Sequence, residues 1–327
     1  MREAAFIHRN KSRWEKLERS LNGLDQLGAD EASDLYIQLT DDVSYARTYY
    51  PKSTVLIYLN GLASKLHQHV YRNKPVERGR FITFWTQEIP LTMASTRKEL
   101  MLSFAVLLIT SLIGAISAHY DPDFVRLVMP GGEAYVDQTL ENIRNGKPMA
   151  IYGSADEGDM FLYITVNNIR VSFIAFALGI LFSVGTAYIL MSTGFMLGAF
   201  QYFFFSYGVG VESILSIWLH GALEISAITI AGAAGFTMGN AFLFPGTFPR
   251  VTSLLHGARK GMRIVIGLVP VFILAGFLES FVTRHAPVMY TWVSASIIIA
   301  SFAFIIWYFI LLPYHAERTH RAVAPSA

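Results

Sequence analysis

The sequence predicts an all-α protein: a polytopic membrane bundle of about six transmembrane helices, preceded by a helical domain outside the membrane. Three observations carry this. Of the 327 residues, 53% are hydrophobic, only 15% are charged, and the mean hydropathy is +0.40, a profile of membrane-embedded rather than soluble chains. Apolar stretches of membrane-crossing length recur from Leu100 to Pro313. Before Leu100, apolar residues recur at helical spacing among charged ones. The absence of cysteine excludes disulfides, thiolate zinc sites and iron–sulfur clusters.

Residues 1 to about 98 form the domain outside the membrane. Phe6, Ile7, Trp14, Leu17, Leu21 and Leu24 predict an amphipathic helix. Leu35, Leu39, Val43 and Ala46 predict a second, capped by Asp30 or Ser33 and ended by Pro51. Val55 to Tyr71 reads as a third, stopping before Asn73 and Pro75. The aromatic stretch from Arg80 to Leu91, with Phe81, Ile82, Phe84 and Trp85, is flanked by Arg78, Arg97 and Lys98. It predicts a helix lying in the membrane interface just before the first span. Residues 1–98 hold 15 Lys and Arg against 11 Asp and Glu, which suits the cytoplasmic side. The N-terminus lacks the apolar core of a cleavable signal peptide, so the first span is expected to direct insertion.

A membrane domain is expected over 99–314. Span one is read as Leu100–Ala118. The segment 119–160 is polar, broken at Pro122, at Pro130-Gly131-Gly132 and at Gly146, and has room for one amphipathic helix at about Glu133–Asn145. Its only basic residues are Arg126, Arg144 and Lys147, so it is assigned to the extracytoplasmic side. Span two lies within Phe161–Ala187. Span three, about Gly194–Tyr207, is short for a crossing and either tilts little, borrows Tyr188–Ser192 or re-enters. Span four is about Ser213–Phe236. The loop after it carries Arg250, Arg259, Lys260 and Arg263 with no acid, and is assigned to the cytoplasm. Span five is about Ile264–Val282, and span six is Thr291–Leu312, ending at Pro313. Residues 315–327 form a cytoplasmic tail with Arg318 and Arg321. Arg284 is the one exception to this charge pattern.

Span four carries the pair that organises the candidate site. His220 and Glu224 are four residues apart, hence on one helical face. An ionisable pair inside a membrane helix is expensive and should face protein, water or a partner. Zinc hydrolases place His-Glu-x-x-His on a helix. Here one His and one Glu stand alone in their span, so no metal and no cofactor is expected unless other helices supply ligands. The pair reads either as an interhelical hydrogen-bond contact, worth about 1 kcal/mol or less, or as a relay or transport site.

Asn167, Asn168 and Arg170 lie in span two, with Arg170 roughly 13 Å below Phe161 at 1.5 Å per residue. Its natural partners are Glu224 or Glu279; otherwise it snorkels to the interface. Glu279, near the end of span five, completes an expected intramembrane polar cluster. Gln201 reads as a packing hydrogen bond. Gly194 and Gly198, and Gly232, Gly235 and Gly239, are small residues where another backbone can approach. His67 and His69 diverge on a helix and are expected to face solvent. No Walker motif, nucleophile elbow or dinucleotide fingerprint is present, and nothing points to nucleic acid.

Several of these features occur together: Phe6-Ile7 with Trp14, the aromatic juxtamembrane segment, Asn167-Asn168, and Thr193-Gly194-x-x-x-Gly198. To them are added His220-Gly-x-x-Glu224 with Gly232 and Gly235 after it, and Ala275-Gly-Phe-Leu-Glu279. From about Phe6 to Tyr314 the chain resembles the stage II sporulation protein M family of integral membrane proteins. The resemblance implies a bacterial or archaeal inner-membrane protein. In spore formers the namesake anchors and positions peptidoglycan-remodelling hydrolases, while most relatives occur in organisms that do not sporulate. This chain departs from the pattern in its long N-terminal domain and in Thr193, where an Asn is expected.

Three functions are weighed. The first is a membrane scaffold organising cell-envelope machinery, with the lipid bilayer, envelope-associated proteins and a second copy of the chain as partners. The second is a transporter or channel-like protein with its polar site around His220 and Glu224. An intramembrane enzyme is least supported, because neither a nucleophile–base pair nor a full ligand set can be read from the sequence.

Overall fold

A computed structural model describes residues 3–21, 29–71, 79–150 and 156–323. Every regular element in it is helical. The chain divides into two compact units, Met1–Arg80 and Phe81–Ala327. The side chains of Leu21, Leu24, Asp30, Ser33, His67, His69 and Arg321, and the segment with Asn73, Pro75 and Arg78, lie outside the described residues.

The first unit contains α1 (Glu3–Leu21), α2 (Ala29–Tyr49) and α3 (Thr54–Tyr71). The helical spacing of its apolar residues becomes one core: Phe6, Trp14 and Leu17 meet Leu35, Leu39 and Ala46, and both meet Val55, Leu59, Leu62 and Leu66. Its polar anchor is Asp42. That carboxylate is buried and accepts the Trp14 indole N–H at 2.9 Å, together with the Arg13 guanidinium. A buried acceptor serving two donors is costly to remove, because both donors lose their partner.

The second unit has six helices long and apolar enough to cross a membrane among the described residues. Span one is Arg97–Tyr120. Two short helices follow, Asp123–Val128 and Gly132–Arg144, tied together by Arg126 and Asp137 at 2.8 Å. The end of the bundle that carries this segment is called the loop face, and the opposite end the tail face. Span two is Glu157–Ala177, extended by a tight turn to Ile180.

Span three is Val184–Ser206, a full crossing of 23 residues that begins ten residues before the expected start. The short or re-entrant segment is therefore corrected. The turn before it runs through apolar sequence with no Pro and no charge, so hydropathy leaves no mark there. Its reversal is made by the backbone: Phe182 and Ser183 both take left-handed conformations, at φ 54° and 67°, where side chains other than glycine are uncommon.

Span four is Gly210–Leu243, longer than expected, and contacts each of the other five spans. Span five is helical from Arg250 to Phe277. The basic stretch expected as a loop is the first part of this helix, because Ser253, Gly257, Gly261 and Ile264 form a buried stripe that packs on the tail-face end of span four. Span six runs Thr291–Ile306 and passes through a π-helical turn, Trp307–Leu311, into a helix that continues to Val323. Pro313 does not end it. Proline is tolerated in the first turn of a helix, and the wider turn before it resets the hydrogen-bond ladder.

The juxtamembrane segment is also helical, from Arg80 to Ser95, with a π turn at Phe84–Glu88. Phe81 and Ile82 are exposed, but Ile89 and Met93 are buried in the core of the second unit. The π turns at the start and end of this unit meet where the Tyr308 hydroxyl donates to the Trp85 carbonyl at 2.6 Å.

Glycines set how closely the spans approach. A Cβ on Gly235 would stand 2.7 Å from the Ala175 carbonyl of span two, and one on Gly198 would stand 2.8 Å from the Ala115 amide of span one. Gly194 lies against Thr110 and Leu107 of span one, Gly232 against Ser103 and Leu190, and Gly239 against Gly179 and Ser183.

Two outcomes are expected. Asp42→Ala should cost the first unit about 1–3 kcal/mol, read as lost hydrogen-exchange protection in α1 and α2 with the membrane unit's protection kept. Gly235→Leu should destabilise the bundle by about 1–3 kcal/mol or more through overpacking, read as a lower thermal midpoint in detergent.

Candidate functional site

The site is built from the loop-face halves of spans two, four and five. On span four, His220 is buried and Glu224 sits one turn below it. Span five brings Glu279 to them, because its regular helix stops at Phe277 and passes through a π turn, Leu278–Val282. Single π turns inside helices re-aim side chains and recur at functional sites. Here the turn points Glu279 at His220, with Oε1 3.9 Å from Nε2. One ligand atom each from His220, Glu224 and Glu279 lies within 4.8 Å of the other two.

The histidine's orientation is determined by its other nitrogen. Nδ1 lies 3.0 Å from the Thr283 hydroxyl. That hydroxyl donates its own proton to the Leu278 carbonyl at 3.1 Å, so it accepts at its lone pair. Nδ1 therefore carries a proton and donates it, and Nε2 is the nitrogen that faces the two carboxylates.

Asn168 reaches Glu224 from span two. It is buried, and its amide nitrogen lies beside that carboxylate without completing a hydrogen bond. Asn167, though exposed, lines the same cavity of about 450 Å³, as do Thr193 and Gln201 of span three and Tyr135 of the loop-face segment. Burial pushes the Tyr135 phenol up to about 12, and the Glu279 carboxylate acts in the same direction. It is thus a neutral hydroxyl closing the cavity at the loop face. Gln201 accepts the Trp218 indole N–H and donates to Ser213, each at 3.0 Å, which is a packing role.

Arg170 does not join the cluster. It is exposed, and among the described residues it makes no ion pair. The reason is helical period: two residues from Asn168 is about 200° around the helix, so with Asn168 facing Glu224, Arg170 faces away. The basic residue that pairs between spans at this end is Arg284, the exception to the charge pattern. It holds Glu157 at 2.8 Å across the loop-face ends of spans five and two. Sequence reasoning missed Thr283. The signal available was a hydroxyl four residues after Glu279, and it acquires meaning only once the π turn is known.

These features define a multi-pass helical membrane protein with a cluster of one buried histidine and two half-buried glutamates opening into a cavity. The model of the family described as Stage II sporulation protein M matches residues 103–284. That is more than half of the chain, and the protein belongs to this family. The match runs from span one through Thr283, so it includes every residue of the cluster. A second model, a domain of unknown function, matches residues 4–72, the helical part of the first unit. No curated protein and no solved structure matches the chain.

The contrast between the two arginines is testable by thermal unfolding. Arg170→Leu should leave stability unchanged or raise it. Arg284→Ala should lower it by about 1 kcal/mol, because its partner Glu157 is partly solvated.

Proposed function

We propose that this protein is an integral membrane scaffold that organises cell-envelope machinery in the prokaryotic cytoplasmic membrane. Both termini and the first unit are assigned to the cytoplasm, and the loop face to the extracytoplasmic side. The scarcity of Lys and Arg over 119–160 and the basic start of span five support that orientation. The observation that carries the scaffold reading is the closure of the tail-face half. The lining of the polar cavity ends at Ile228 on span four, and every residue from Ala227 to Gly239 is buried. The cavity that adjoins the polar one, past Ile225 to Ile230 and Leu100, is lined almost wholly by apolar side chains, so the polar recess does not continue as a polar path across the bundle, which disfavours a transporter or channel.

The reading assigns the protein no enzymatic step. Gly232, Gly235 and Gly239 of span four are occupied by contacts inside one chain, so they offer no surface to a second copy. The partners best supported are envelope-associated proteins held by the first unit, which has its own core, or by the loop-face segment.

Glu224→Gln separates the readings. In a scaffold, the variant retains the proteins crosslinked to the wild type in membranes, with only a modest fall in thermal stability. Loss of solute flux in proteoliposomes, with assembly and partner crosslinking intact, would instead establish transport.

A further inference from the structure

We propose that His220, Glu224 and Glu279 bind a divalent cation of the zinc class and so join spans four and five. The inference does not rest on the scaffold reading.

The donor set is the first reason. One imidazole nitrogen and two carboxylates, with ligand atoms mutually within 4.8 Å, suit a borderline divalent metal better than Mg²⁺ or Ca²⁺, which take oxygen ligands. Ligands around tetrahedral zinc stand about 3.3 Å apart, given bonds of about 2.0–2.2 Å. His220 Nε2 and Glu279 Oε1 are 3.9 Å apart. Contraction to bonding distance needs only rotation about the carboxylates' terminal torsions, which are soft.

The histidine is already prepared as a ligand. Thr283 accepts the Nδ1 proton, so Nε2, which faces Glu279 at 3.9 Å, is the nitrogen a cation would take. A second hydrogen-bond partner of this kind fixes the tautomer and ring plane of metal-bound histidines.

Charge is the third reason. Among the described residues, no Lys or Arg lies within ion-pair distance of Glu224 or Glu279; Arg170 faces away and Arg284 is on Glu157. Two carboxylates in an apolar span are costly to keep ionised without a positive charge, and a divalent cation would displace their protons and match them one for one.

An independent observation also points to a ligand. The Asn168 amide is 5% exposed, lines the cavity and stands beside Glu224 without completing a hydrogen bond to it. A carboxylate oxygen turned toward a bound cation would leave its neighbour facing this donor. Three protein ligands leave a fourth position toward the cavity for water or a partner's donor group.

The test uses the full chain in lipid nanodiscs, with any affinity tag removed and metals stripped by chelator. Zn²⁺ is added back, stoichiometry is measured by mass spectrometry of the metal, and affinity by chelator competition. The expected result is one Zn²⁺ per chain that excess Mg²⁺ does not displace, lost in His220→Asn and Glu279→Gln. Thr283→Val touches no metal and should weaken affinity about 10- to 100-fold while stoichiometry at saturation is kept. Should the ligand variants fail to stay monodisperse, Thr283→Val and a Zn²⁺-dependent rise in the wild-type thermal midpoint decide the matter. The proposal is overturned if the wild type binds no stoichiometric zinc, or if zinc is retained with equal affinity in His220→Asn, Glu279→Gln or Thr283→Val.

Discussion

Placing a histidine and a glutamate one turn apart inside an apolar helix creates a demand that the helix cannot meet by itself. Lipid offers no hydrogen bonds and no countercharge, so other spans must close around the pair. The rest of the site follows from that demand. Span five gives up its regular ladder in a π turn that points Glu279 inward and puts the Leu278 carbonyl on the Thr283 backbone N–H. Thr283 uses that carbonyl to orient His220. Span two contributes Asn168, and the loop-face segment covers the opening with Tyr135.

The same helix meets its neighbours differently along its length. Around His220 the interfaces leave a cavity of about 450 Å³. Beyond Ile228 the alternation of Gly and Ala lets the backbones of spans two, three and five come into direct contact. Without a hydrophobic drive between helices in lipid, such close approach supplies the dispersion energy that holds a bundle together. Polar recess and dry seam thus divide one helix between a candidate site and the packing that supports it.

Much of this was legible in the residues. Apolar periodicity located α1, α2 and α3, because a small helical core demands it. His220 and Glu224 stood out because charge in a long apolar run is costly. Other features left no trace. The turn at Phe182-Ser183 lies in uniformly apolar sequence and is made by backbone conformation, so span three could not be bounded. The basic start of span five reads as a loop by charge. It is helix because one stripe of it, Ser253, Gly257 and Gly261, finds the end of span four. Arg170 and Glu279 were both assigned to a cluster by depth alone. Depth does not contain azimuth, and azimuth excluded one and admitted the other.

By itself, then, the sequence determined the all-α membrane class, the presence of six crossings, the helical first unit and the central importance of span four. Each of these depends on how residues partition between water and lipid along one chain, a property local enough to read in order. Only the tertiary structure decided which side chains meet: Glu279 with His220, Asn168 with Glu224, Arg284 with Glu157, and Thr283 as the group that orients the histidine. Those meetings depend on helix rotation and on a single wide turn, both set by packing among spans distant in the chain.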